Sequence, residues 1–330
     1  MPYQQNSTQT DRTPFITFII PVYNIPVSML HECIESILAL NLHPSEREII
    51  LVDDGSDNSP IGDLKELSQQ LIYIRTANNG VSEARNTGLR MAQGEFVQFI
   101  DGDDLLLTST YEHVLRLAQT KNCDMVMFDF SETAHADNNY KDSPCVSGTE
   151  LMHRNNIHGA TWGYLFRRSL LGTLRFTPGV AYGEDEEFTA QLLLRAEYVR
   201  HTTAKAYYYR ERNTSAIHAE GADKHLQRLD DNKQVIFRLS RQLDSLPADD
   251  RNALERRVAQ LTMDYIYNTI RLTRDRQCLN QRIEELRSKG LFPLPDRDYT
   301  TKYKWFRRMT NSEIGRRMLM RLLPIMEKER

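Results

Sequence analysis

The sequence predicts an α/β protein: a mostly parallel, Rossmann-like sheet with helices on both faces, continued by a helical C-terminal extension. Three observations predict it. Short continuous apolar runs alternate with helical periodicity through the first half of the chain. Each of the main runs ends in a polar cluster rich in Asp or Asn. Beyond about residue 218, long amphipathic helical patterns take over.

Residues 15–22 form an apolar run bounded by Pro14 and Asn24 and read as a buried strand. Leu30, Cys33, Ile34, Ile37 and Leu38 then recur at helical spacing. A second strand over 49–52 runs into Asp53-Asp54-Gly55-Ser56, and Ile61, Leu64, Leu67 and Leu71 mark a helix after it. Segments 72–75 and 96–100 read as two further strands with a helix between them. In a parallel sheet, ligands bind outside the carboxyl ends of the strands. Pro21-Val22-Tyr23-Asn24, Asp53-Asp54-Gly55-Ser56 and Asp101-Gly102-Asp103-Asp104 each follow a strand, so all three are expected on one rim. Several carboxylates gathered there call for a neutralising cation.

Bulk composition narrows the function classes. A chain of 330 residues, 40 % apolar, builds a real core and suggests about two domains. The net charge of −3 gives no global attraction to nucleic acid, which is not an expected partner. Cys33, Cys123, Cys145 and Cys278 show no CxxC spacing and read as reduced thiols of a cytosolic protein. The polar residues 1–13 lack the pattern of a signal peptide and are expected to be a flexible N-terminus. No window approaches the roughly 20 apolar residues that a membrane span needs. The expected location is the cytoplasm, at the inner face of any membrane the protein touches.

Asp101 and Asp103, two residues apart with Gly102 between them, can share one hard divalent cation, Mg2+ or Mn2+, and leave positions open for substrate phosphates. Taken alone, the same tetrapeptide also reads as a solvated turn.

Five blocks in order resemble the successive motifs of family 2 glycosyltransferases, which have the GT-A fold. They are Phe18-Ile19-Ile20-Pro21-Val22-Tyr23-Asn24, Val52-Asp53-Asp54-Gly55-Ser56, the run from Asn79 to Gly88 (NGVSEARNTG), Asp101-Gly102-Asp103-Asp104, and Gly183-Glu184-Asp185-Glu186-Glu187-Phe188. Together they span roughly the first two thirds of the chain, and their ordered co-occurrence is hard to obtain by chance. The resemblance implies a nucleotide-sugar-binding catalytic domain over 14–218 and a helical region over 219–330 that ends in a basic amphipathic tail. Pro21, Tyr23 and Asn24 would line the nucleotide base pocket. Asp53 and Asp54 would accept the uracil N3–H, although one of them, with Ser56, also suits a helix N-cap. Asn79 and Arg85 flank the Gly80 turn; Arg85 either meets phosphate or forms a salt bridge to the Asp101/Asp103 pair. Asp101 would face ribose and metal with Gly102 beside it, and Asp103 would face metal and pyrophosphate; Asp104 receives no role.

The same resemblance implies a catalytic base at Asp185, with Glu184 beside it, in what also reads as the acidic first turn of a helix. Arg210 and Ser215 would lie on a loop over the donor diphosphate, while Tyr207 and Tyr209 also fit the inward face of an edge strand. His218 is left out of the metal set. Trp162 is either a surface for an acceptor sugar or core. Tyr164 stands where many relatives carry Lys, so no contact is transferred to it.

The tail is dense in Lys and Arg and interleaved with Tyr303, Trp305, Phe306, Met309, Met318, Leu319 and Leu322. It suits an anionic membrane surface, a homodimer contact, or packing against the protein's own domain. The expected activity is inverting transfer of a sugar, from a UDP-linked donor, to a saccharide or lipid-linked saccharide in surface polysaccharide assembly. A sugar nucleotidyltransferase would want a glycine-rich basic loop where Pro21-Val22-Tyr23-Asn24-Ile25-Pro26 stands, and a dehydrogenase would want GxGxxG. The remaining alternative is a non-catalytic nucleotide-sugar or polysaccharide binder, which would bind donor without turnover.

Overall fold

The computed structural model describes residues 13–137, 139–210 and 221–326. They divide into two compact units. The first comprises the chain up to Pro144 with Trp162–Thr173 and Arg200–Arg210; the second comprises Cys145–Thr161, Leu174–Val199 and the C-terminal helices. The expected boundary at 218 and the N-terminal residues 1–12 fall outside the described residues.

The first unit carries a sheet ordered β3-β2-β1-β4-β7-β6-β8-β5 among the described residues. Its strands are β1 (Ile16–Val22), β2 (Arg47–Asp53), β3 (Ile72–Arg75), β4 (Phe96–Phe99), β5 (Leu105–Leu106), β6 (Met125–Ser131), β7 (Tyr164–Arg167) and β8 (Val199–Tyr208). β3, β2, β1 and β4 pair with one another in parallel, as their apolar runs predict; every residue of β1 is buried. Past β4 the pairing turns antiparallel, with β7 running against β4 and β6, and β8 against β5. The parallel pattern therefore covers half of the sheet. The mixed composition of VRHTTAKAYY in β8 is typical of a strand with one polar face.

Helices α1 (Val27–Leu38), α2 (Val81–Met91) and α3 (Thr108–Ala118) belong to this unit. α1 buries Leu30, Cys33, Ile34 and Ile37, the stripe that the spacing predicts. The helix expected over 61–71 is absent. Two 3-10 segments, Pro60–Gly62 and Lys65–Gln70, stand in its place. Leu64 and Leu67 are buried, and an i,i+3 pair satisfies a three-residue turn as well as an α-turn, while Gly62 and Asp63 weaken an α-helix.

In the second unit, α4 (Gly148–Arg154) and α5 (Glu184–Leu193) are joined by α6 (Ala222–Gln242), α7 (Ala248–Thr273), α8 (Arg276–Ser288), α9 (Thr301–Asn311) and α10 (Glu313–Met326). Leu229, Ile236, Leu239, Leu254, Val258, Tyr265, Phe306 and Leu319 enter one apolar core. Leu226 lies 43 % exposed on the first turns of α6. No helix among the described residues is long and apolar enough to cross a membrane.

Candidate active site

The carboxyl ends of β1, β2 and β4 deliver their polar clusters to one rim, because register aligns Val22 with Asp53 and Ile19 with Phe99. Pro21 fits a central strand because the β1–β4 ladder stops at Ile19; Ile100 N donates to Ile19 O, so the amide that Pro21 lacks lies on the β4 side, past the last rung. There β1 and β4 part. Tyr23 stands 47 % exposed just beyond β1. Asn24 adopts φ 51° and is clamped to the β2 loop: its N–H donates to Ser56 Oγ, its Nδ2 donates to Asp57 Oδ2, and its Oδ1 accepts from Asp57 N.

Asp53 and Asp54 are both buried. Asp53 Oδ1 accepts from Ser56 N at 2.8 Å, and Oδ2 accepts from the Tyr73 hydroxyl at 2.6 Å with Arg75 Nη1 at 3.5 Å. The Asp53–Ser56 turn precedes 3-10 segments rather than an α-helix. Asp54 reaches across to the Gly80 turn, where Asn79 N donates to Oδ1 at 2.9 Å and Gly80 N to Oδ2 at 2.8 Å. Gly80 is the N-cap residue of α2 and carries no side chain, so Asp54 supplies the acceptor that the helix start needs.

α2 carries Arg85 beneath the rim, almost fully buried, with Nη2 3.6 Å from Asp101 Oδ1 and the guanidinium 5.9 Å from the Phe99 ring centre. The salt-bridge reading of Arg85 is thus the arrangement observed. Gly102 is required between the two candidate ligands: a Cβ there would lie 2.7 Å from Val22 Cγ1. Asp104, which the sequence left without a role, proves to be the buried pivot. Its Oδ2 accepts from the Tyr207 hydroxyl at 2.8 Å and its Oδ1 from Arg210 N at 2.8 Å, while Asp101 N donates to the same Tyr207 oxygen at 3.1 Å. Burial pushes the Asp104 carboxyl up to about 8; Asp101 and Asp103 add to the rise, and the Arg210 amide and Tyr207 hydroxyl oppose it. Burial, then the charges of Asp104, Asp103 and Asp101, likewise pushes the Cys33 thiol up.

Arg210 is tied back to the rim, its backbone on Asp104 and its Nη2 donating to Glu32 Oε2 at 2.6 Å. Trp162 is only 8 % exposed and stacks on Tyr207 with ring centres 4.6 Å apart, with Tyr209 and Phe130 adding contacts. Most of its surface is therefore core. Ser215 and His218 lie outside the described residues.

The second unit holds the other acidic run. Gly183, at φ 83°, opens α5; a Cβ there would lie 2.5 Å from Asn232 Oδ1. Asp185 Oδ2 accepts from Thr161 N at 3.3 Å, and Glu184 is buried. Glu187 meets Arg238 of α6 in a two-pronged pair, Nε to Oε1 and Nη2 to Oε2 both at 2.7 Å, and accepts from Thr177 Oγ1 at 3.1 Å. Glu186 pairs with Arg257 of α7.

Among the described residues, no group of three or more His, Cys, Asp or Glu side chains is arranged to hold a metal ion. The Asp101/Asp103 pair, pressed against a third carboxylate that burial keeps from ionising freely, fits an ion that takes few protein ligands and completes its shell with water and phosphate. Mg2+ and Mn2+ bind in this way.

An acid-lined rim at the carboxyl ends of a half-parallel sheet is the ligand-binding position of an α/β enzyme. Residues 17–175 match the family model described as glycosyl transferase family 2. Residues 17–175 are thus similar to family 2 glycosyltransferases, and the fold is GT-A-like. It is 29 % identical over 234 residues to the uncharacterized glycosyltransferase EpsJ of Bacillus subtilis, covering 65 % of this chain and 67 % of that protein. It is 29 % identical over 220 residues to the minor teichoic acid biosynthesis protein GgaB of the same organism, covering 62 % of this chain but 24 % of that protein. Among solved structures it resembles Staphylococcus aureus TarS 1–349 in complex with UDP-GlcNAc, with a TM-score of 0.56, 17 % identity, and coverage of 91 % of this chain and 89 % of that one. The Pyrobaculum calidifontis mannosyltransferase PcManGT, in complex with GDP-Man and Mn2+, gives a TM-score of 0.56 at 14 % identity, covering 94 % of this chain and 88 % of that one.

Proposed function

We propose that this chain transfers a sugar, with inversion, from a UDP-linked donor to a hydroxyl of a saccharide or lipid-linked saccharide, in the assembly of a surface polysaccharide. The observation that carries the reading is the Asp101–Asp104 turn at the end of β4, where Tyr207 and the Arg210 amide hold Asp104 beside Asp101 and Asp103, and where burial first, then the neighbouring carboxylates, raises the Asp104 carboxyl. Nucleotide-sugar complexes of two structural neighbours, one of them with Mn2+, support the donor class and the cation.

Asp101 and Asp103 would hold Mg2+ or Mn2+, which when bound offsets the charge gathering on the departing diphosphate. Pro21, Tyr23 and Asn24 would seat the base, with Asp53 and Asp54 shaping that pocket. Asn79 and Arg85 would set the edge of the donor site, and Arg210 and Ser215 would approach the diphosphate. The acceptor oxygen attacks the anomeric carbon as the carbon–oxygen bond to the diphosphate breaks and its electron pair leaves with the nucleotide. Asp185 takes the hydroxyl proton, with Glu184 beside it. Trp162 would support the acceptor side mainly as packing.

The test is UDP or GDP release from a panel of nucleotide sugars, with Mn2+ and with EDTA. Cation-dependent release from a UDP-sugar is the expected result. Donor binding without release under any condition would favour the non-catalytic binder.

The reading extends to an anionic lipid surface as the place of work. Between Thr301 and Met326 seven Lys or Arg stand against one acid, in a chain of net charge −3. α9 exposes Trp305 (48 %), and α10 exposes Ile314 (71 %), Met318 (48 %) and Leu322 (41 %) at four-residue spacing. Vesicles containing phosphatidylglycerol should retain the protein and pure phosphatidylcholine should not, and Ile314→Asp should release it. Concentration-dependent dimerisation abolished by Ile314→Asp, without vesicle binding, would assign the face to a second copy instead.

A further inference from the structure

The acidic run that opens α5 is not a uniform charged turn. Its third and fourth carboxylates are taken by arginines that come from the C-terminal helices. Glu187 is buried and gripped by Arg238, which joins α5 to α6. Glu186 is gripped by Arg257, itself 5 % exposed, which joins α5 to α7.

Glu186 also reaches the loop before β7. A Cβ on Gly159 would lie 2.0 Å from Glu186 Oε2, so the carboxylate packs directly on that glycine's backbone. Thr189 Oγ1, one turn further along α5, donates to Gly159 O at 2.8 Å. Two residues on, Thr161 N donates to Asp185 Oδ2. The other side of the loop is held by α7 as well: Arg256 Nη1 donates to Met152 O and Asn155 O, and Gln260 Nε2 bonds Asn156 Oδ1. Arg257 has a further acid near it, Asp264, whose Oδ1 accepts from the Tyr303 hydroxyl of α9 at 2.8 Å.

We infer that Arg257 is a positioning residue for Asp185: by fixing Glu186 against Gly159, it sets the first turn of α5 and the Thr161 amide that orients the Asp185 carboxylate. This rests on the reading of Asp185 as the base. Glu186 is 31 % exposed at its side chain and Arg257 6 %, so the pair is a partly screened tether. The helical extension then belongs to the machinery of transfer, as the scaffold that aims the acid. The sequence hides this because Arg238 and Arg257 look like the solvated side of amphipathic helices.

The test uses the full chain with Arg257→Met, Arg257→Lys and Asp185→Asn. Hydrogen exchange is followed in peptides covering 157–163 and 183–190, against controls in 222–242 and 276–288. Arg257→Met should accelerate exchange about 10-fold in the first two peptides and leave the controls unchanged. Arg257→Lys, which keeps the charge but loses the planar fork, should give a smaller acceleration. Unchanged exchange at 157–163 and 183–190, or an equal rise in the controls, overturns the positioning role.

The chemical readout is donor turnover, measured as UDP release from UDP-N-acetylglucosamine with Mn2+, with water taking the sugar and Asp185 taking the proton of that water. kcat should fall about 100-fold in Arg257→Met with KM unchanged, because a displaced base costs rate rather than donor affinity. Accelerated local exchange with unchanged kcat in both Arg257→Met and Asp185→Asn would leave the tether standing and remove Asp185 as base, so the two failures are told apart.

Discussion

The carboxylates after β2 and β4 and those that open α5 are both short acidic runs at the end of an element, yet the protein surrounds them differently. On the rim, Asp54 is held by the Asn79 and Gly80 amides, and Asp104 by the Arg210 amide and the Tyr207 hydroxyl. Amides and hydroxyls fix the position of a carboxylate without cancelling its charge, while the guanidinium groups of Arg75 and Arg85 reach Asp53 and Asp101 at 3.5 Å and 3.6 Å. At α5, full guanidinium charges meet Glu186 and Glu187. The first arrangement crowds Asp101, Asp103 and Asp104 into one turn, where we propose that a cation sits. In the second, arginine charge is taken up by Glu186 and Glu187, next to the Asp185 that we propose as the base.

This contrast is broken most directly at the rim. Asp103→Ala should lower cation-dependent UDP release by about 1,000-fold or more and weaken UDP binding, because the leaving group loses its counter-charge; full release in this variant or in EDTA would show that no cation is needed. Next in size, Asp185→Asn should cut transfer by about 100-fold or more while UDP binding stays, since an amide cannot take the proton. Arg238→Met should leave UDP binding intact but cost about 3 kcal/mol of stability, by stranding the buried Glu187 carboxylate; a denaturation midpoint equal to that of the parent would show the pair to be dispensable.

The smallest expected effect is in pH. Asp104 holds its proton more tightly when folded, at about 8, than an unfolded Asp does. Its contribution to stability is therefore largest at low pH and falls as pH rises from about 4 to about 8. A divalent cation favours the ionised rim, so the melting shift produced by Mn2+ should grow by a few degrees between about pH 6 and about pH 8.5. A shift that shrinks over that window would contradict the assignment.

Much of the rim was legible in the sequence. Residues 15–22, 49–52 and 96–100 are mostly apolar runs, broken only by Thr17 and Gln98, with an abrupt polar end, and a strand buried on both faces leaves that trace. The antiparallel half was not legible, because β5 has two residues and β8 alternates polar and apolar side chains whose partners are distant in sequence. The helix expected over 61–71 failed because Leu64 and Leu67 satisfy two periodicities. Within the site, the residue types were visible but their partners were not: Tyr73 on Asp53, Tyr207 between Asp101 and Asp104, and Arg257 on Glu186 join positions far apart in the chain. No local pattern encodes such pairs; they depend on which elements the fold brings together.

Titrating UDP in the presence of Mn2+ into three forms of the full chain, the parent, Asp103→Ala and Asp185→Asn, addresses the division of labour between the two acidic runs. The parent and Asp185→Asn should bind UDP with similar affinity, strengthened by Mn2+, while Asp103→Ala loses the Mn2+ effect. Mn2+-strengthened binding that survives in Asp103→Ala, or vanishes in Asp185→Asn, would contradict it.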